Sequence, residues 1–163
     1  MPRFALLLLL SIAPSLHAEF LRVEVTFQDT GCASCIASLE GRLSRVRGME
    51  RVEIDAERGV ATMHLAAGNR VRLTPLLSRI TQDGTEILGA KVEGLGVIET
   101  TSEGLAFVPT NLSQTYRLRL EGGAGKRTPE PGALYRVRGS ATGVEAGTEP
   151  VISAASFEVE AKQ

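Results

Sequence analysis

The two cysteines of this chain, Cys32 and Cys35, stand three positions apart in Gly31-Cys32-Ala33-Ser34-Cys35. Two thiols at that spacing either grip one soft metal ion or close a small-ring disulfide. The thiolate is both the metal ligand and the nucleophile, and a helix N-terminus lowers a thiol's pKa by stabilising its negative charge. With no histidine or carboxylate inside the motif, two soft sulfurs favour Cu(I), Hg(II) or Ag(I), which accept two-coordinate sulfur ligation. Zn(II) prefers four ligands, and the chain has no second CxxC. The motif therefore marks Cys32 and Cys35 as metal ligands, with Cu(I) favoured. Two alternatives stay open: thiol–disulfide exchange through the same pair, and a permanent disulfide in an oxidising compartment.

Other side chains carry weaker signals. His64 is the single histidine after residue 18; its neighbours Met63 and Leu65 point to the core, so His64 should face the open side of a sheet. Met49 and Met63 read as packing residues rather than thioether ligands. Asp29 reads as a turn residue. Arg42, Arg45, Arg47 and Arg51 read as a solvated helix face, with docking of an acidic partner as the sharper alternative. Tyr116 and Tyr135 alternate with arginines, which is superficially a nucleic-acid surface; a net charge of −1 and strand alternation argue for paired strand faces instead. No nucleophile–base constellation appears, so no enzyme is expected.

The elements that position the cysteines follow from periodicity. Leu21 to Phe27 alternates apolar and polar as a half-buried strand. Ile36, Leu39, Leu43 and Val46 recur at helical spacing from Ser34 onward, and Gly48 suits a helix stop. Val52-Glu53-Ile54-Asp55 and Val60 to Leu65 read as the next two strands. Leu73, Leu76, Leu77 and Ile80 give a second helix, with Thr74 as N-cap, Pro75 as first helical residue and Gly84 as stop. Thr85 to Val92 is a fourth strand. The order βαββαβ, with right-handed crossovers, predicts a ferredoxin-like domain.

This half resembles the heavy-metal-associated domain family of copper chaperones, periplasmic mercuric-ion binding proteins and soft-metal ATPase modules. The resemblance, over residues 21–94, rests on Val23-Glu24-Val25, Cys32-Ala33-Ser34-Cys35 followed by Ile36, and Leu39-Glu40 with Leu43. It continues through Gly48-Met49, Val52-Glu53-Ile54-Asp55 and Ile80-Thr81-Gln82-Asp83-Gly84. It implies that Cys32 and Cys35 bind the metal, and that the partner is a metal transporter or another metal-binding domain. The chain departs from the family pattern at Thr30, where methionine is usual. Gly31 stands where members selecting zinc, cadmium or lead often carry aspartate.

At the level of the whole chain, Met1-Pro2-Arg3 and the apolar run from Phe4 to Ala13 read as a secretory signal peptide, residues 1–18, cleaved after Ala18. A periplasmic or secreted location follows, with no later segment long and apolar enough to span a membrane. The composition shifts at Gly94-Leu95-Gly96. After it come short strand candidates at Val97–Thr100, Leu105–Val108, Tyr116–Leu120, Leu134–Val137 and Phe157–Val159, with a mobile Gly/Pro-rich loop from Glu121 to Gly132. The expected organisation is α+β: a heavy-metal-associated domain over 19–94 and a small all-β domain, OB-like in its strand spacing, over 95–163.

Overall fold

The structure, a computed structural model, describes residues 19–28, 33–109, 111–143 and 149–160. The leader assigned to residues 1–18 and the positions Asp29, Thr30, Gly31 and Cys32 lie outside the described residues. The elements run β1 (Phe20–Phe27), α1 (Ala33–Ser44), β2 (Met49–Asp55), β3 (Val60–Leu65), α2 (Leu73–Thr81) and β4 (Ile87–Thr101). They continue with β5 (Gly104–Val108), β6 (Tyr116–Leu120), a short 3-10 turn (Ala124–Lys126), β7 (Leu134–Thr142) and β8 (Val151–Val159).

The expected pair of units, a ferredoxin-like domain followed by a separate all-β domain, is overturned by one continuous eight-stranded mixed sheet in the order β2-β3-β1-β4-β5-β6-β8-β7. The reason lies at Gly94-Leu95-Gly96, where glycine reads as a break but serves close approach. A Cβ at Gly94 would stand 3.1 Å from the Phe20 ring, and one at Gly96 would stand 2.6 Å from both the Phe107 ring and the Val108 carbonyl. Glycine thus lets two aromatic rings lie against the strand, and β4 runs on for 15 residues. One edge of β4 pairs with β1 over Ile87–Gly94 and then with β5 over Val97–Thr101. Its other edge pairs with β7 over Ala90–Val97. Because β5 pairs with β6, β6 lies parallel to β8, and β8 pairs with β7, the strands β4, β5, β6, β8 and β7 close into a ring.

Alternation then builds one core. Val23, Val25, Ala61, Met63, Ala90 and Val92 are buried on the face covered by α1 and α2, together with Leu39, Leu43, Leu73, Leu76, Leu77 and Ile80. The same cluster continues into the ring through Phe107, Tyr116, Leu118, Tyr135, Val137, Ile152 and Phe157. Phe20 joins the halves: its ring meets Tyr116 edge-on at 5.3 Å and Phe107 at 6.1 Å, a geometry that adds to area burial.

Two local expectations also change. Helix α2 begins at Leu73 with Arg72, not Thr74, in the N-cap position. The Leu73 N–H is already satisfied by the Tyr116 hydroxyl at 3.2 Å, which draws the start of the helix forward. The loop expected to be mobile is anchored: Arg127 stacks on the Phe157 ring at 4.6 Å and donates to the Phe157 carbonyl at 2.7 Å. The Tyr135 hydroxyl accepts from the Glu130 N–H at 2.6 Å.

Candidate metal centre

Cys35 lies in the first turn of α1, partly buried, and is disulfide-bonded. The sequence offers one other cysteine, Cys32, which lies outside the described residues. The helix forms here because Ile36, Leu39 and Leu43 give it one apolar stripe, with Leu39 and Leu43 fully sunk into the core. No acidic residue occupies the first helical turn, so nothing there opposes the positive end of the helix dipole that favours thiolate.

Both sides of the cysteine loop are pinned. On the entry side, the Phe27 N–H donates to the Gly59 carbonyl at 2.8 Å and the Gln28 N–H to the Glu86 carbonyl at 2.9 Å. Phe27 itself is buried. On the exit side, Arg42, two turns along α1 from Cys35, pairs with Asp83 at 2.6 Å and also donates to Ser38 at 3.1 Å. Asp83 in turn accepts from the Thr85 hydroxyl at 2.7 Å and the Thr85 N–H at 3.3 Å. Burial tends to raise the Asp83 carboxyl, but the Thr85 and Arg42 hydrogen bonds outweigh it and hold the group below its ordinary value. This clamp fastens α1 to the turn after α2. Its members are 41 residues apart, so no local pattern announces it.

The remaining candidates do not gather around Cys35. His64 lies on the open face of the sheet, its Nε2 3.3 Å from the Arg51 guanidinium, and pairs in register with Arg22 near the start of β1. The cysteine loop leaves from the opposite end of that strand. Met63 is fully buried and Met49 packs against the core. Among the described residues, no group of three or more His, Cys, Asp or Glu side chains is placed to hold a metal.

The arginine group divides. Arg42 is tied to Asp83 and Arg51 pairs with Glu53 at 2.6 Å, whereas Arg45 and Arg47 are exposed and form no ion pair with a described residue. Tyr116 and Tyr135 are buried, so neither ring offers a stacking platform to a nucleic acid. Burial pushes the Tyr116 hydroxyl up to about 12; it stays protonated, accepting from Leu73 and donating to Gln114 Oε1 at 3.1 Å. No described helix is long and apolar enough to cross a membrane.

No protein-family model and no curated protein matches the chain.

Proposed function

We propose that the reduced chain captures one soft metal ion, Cu(I) in first place, between Cys32 and Cys35 and hands it on by ligand exchange. The observation that carries this reading is the seat of Cys35 in the first turn of α1, with Cys32 three residues earlier in sequence. Helix amides at that position favour thiolate, and a two-sulfur donor set suits a soft, low-coordinate ion better than Zn(II). The disulfide at Cys35 is then the oxidised, closed form. Two equivalents of a thiol reductant supply two electrons and two protons and leave as their own disulfide, two cysteine thiols result, and the ion displaces the thiol protons as it binds. In transfer, an incoming thiolate or thioether joins the ion as a third ligand and one cysteine departs. The reading takes residues 1–18 as an export leader and a metal transporter or a second metal-binding domain as partner.

Reduced, anaerobic protein titrated with Cu(I) against a competing chelator should take up about one ion per chain. Unchanged uptake by a Cys32→Ser, Cys35→Ser double variant would sink the proposal.

The disulfide at Cys35 favours a second reading, thiol–disulfide exchange. There a substrate thiolate attacks one sulfur, a mixed disulfide forms, and the second cysteine is released as thiolate. This reading requires the oxidised chain to speed disulfide formation in a reduced, unfolded substrate. A rate no higher than the uncatalysed one removes it.

A further inference from the structure

A second site lies at the far end of the helical layer, where the segment before α2 faces the connection between β5 and β6. The cleft there encloses about 550 Å³ and is lined by Arg70, Arg72, Asn111, Ser113, Thr115 and Glu149. Arg70 and Arg72 flank buried Val71, and both line the cleft. Neither makes an ion pair with a described residue.

Both walls are held in place before any ligand arrives. Asn69, itself buried, donates to the Phe20 and Ala66 carbonyls at 2.8 and 2.9 Å and accepts from the Val71 N–H at 3.1 Å. On the other wall, Gln114 accepts from Tyr116 and donates to Glu149, while buried Leu112 closes a turn onto the Pro109 carbonyl at 3.0 Å. The Asn111 amide and the Ser113 and Thr115 hydroxyls make no hydrogen bond with a described residue and supply further donors. Arg45 and Arg47 add to the positive field: the Ala66 N–H donates to the Gly48 carbonyl at 2.9 Å, bringing the segment after α1 beside the one that carries Arg70.

A cleft on the open sheet face, lined by Arg22, Glu24, Lys91, Glu93 and Arg138 among others, makes the contrast. There Arg22 and Lys91 lie 2.7 and 3.0 Å from Glu24, and Arg138 lies 3.0 Å from Glu93. Its cations are already neutralised.

We propose that the Arg70–Arg72 cleft binds a phosphate group, carried either by a soluble phosphate compound or by a lipid headgroup. Two guanidinium forks match phosphate oxygens bidentately, and Asn111, Ser113 and Thr115 line the same cleft with neutral donors. Glu149 is the one carboxylate among the described lining residues and opposes the ligand. The site is independent of the cysteines.

The test titrates the full chain with inorganic phosphate at constant ionic strength, following 31P line broadening and thermal stability, with chloride as control. A second arm measures co-sedimentation with vesicles of neutral lipid, with and without phosphatidic acid. Arg70→Gln, Arg72→Gln should weaken binding roughly tenfold or more, while Glu149→Gln should tighten it. Both changes are on exposed residues, and circular dichroism checks that the fold survives. Phosphate binding lost in the double variant supports a soluble source. Vesicle binding that needs phosphatidic acid and is lost in the same variant supports a lipid source. No binding in either arm, or binding that the double variant retains, overturns the proposal.

Discussion

The two ends of the helical layer are built from the same elements and carry opposite chemistry. At the cysteine end, α1 begins and α2 stops; two of the nearby cations are paired, Arg42 with Asp83 and Arg58 with Asp55. Glu57 and Glu86, in the adjoining turns, have no cation partner among the described residues. At the arginine end, α1 stops and α2 begins, and Arg45, Arg47, Arg70 and Arg72 make no ion pair with a described residue. Arg79, in the last turn of α2, is exposed at the cysteine end and makes no ion pair with a described residue, and the helix amides add to the positive field that favours thiolate. The arginine end gathers four such cations and draws anions.

The sharpest way to break this comparison is to empty one end and probe the other. Cys32→Ser, Cys35→Ser should abolish Cu(I) uptake and leave phosphate binding unchanged, because the two sites share no side chain. Loss of phosphate binding in that variant would mean that the ends are coupled. The next largest effect concerns whether the ends belong to one cooperative body. Gly96→Val places atoms where the Phe107 ring and the Val108 carbonyl already lie. Overpacking of this kind costs about 3 kcal/mol or more. Since β4 is shared, a single unfolding transition should move; two transitions, with the metal site surviving the first, would divide the molecule after all.

A smaller effect isolates the arginine end. Tyr116→Phe removes the hydroxyl that accepts from Leu73 and donates to Gln114. It leaves a buried N–H unpaired, which costs about 1–3 kcal/mol. Phosphate binding should weaken along with stability, because Gln114 and the start of α2 lose a common anchor. Cu(I) affinity should stay within experimental error. Equal losses at both ends would show that Tyr116 supports the whole layer.

The sequence makes one of these ends far more visible than the other. Cys32 and Cys35 are rare residues in a short motif, and the stripe Ile36, Leu39, Leu43 places the helix behind them. The arginine cleft draws residues 70–72, 111–115 and 149 together, and no local pattern joins them. The strand pattern failed where glycine has two meanings. Gly94 and Gly96 read as punctuation because chain reversal and close approach call for the same residue; the rings of Phe20 and Phe107 decide between them, and they come from remote segments. The length of β8 escaped for a related reason. Ser153 and Ala154 show no apolar alternation, yet both are buried because β7 on one side and β6 on the other enclose them. The Arg42–Asp83–Thr85 clamp is invisible for the same cause, sequence distance.

That clamp gives the smallest effect, and one with a defined pH dependence. Burial alone would raise the Asp83 carboxyl, but hydrogen bonds from Thr85 and Arg42 prevail and the folded-state value lies below the ordinary one. The folded chain therefore binds this proton less readily than the unfolded chain. The resulting stability is fully present above the unfolded value, near 4, and is lost as pH falls through the lower folded value. Asp83→Asn should cost below about 1 kcal/mol at pH 7, since the pair is partly exposed to solvent and screened. The cost should shrink to nothing once Asp83 of the parent is protonated. Urea unfolding at pH 7 and at progressively lower pH measures both limits. A deficit that persists undiminished in acid would assign the loss to packing around Thr85 rather than to the ion pair. A change in Cu(I) affinity larger than the change in stability would show that the clamp positions the first turn of α1, and with it Cys35, rather than merely holding the helix down.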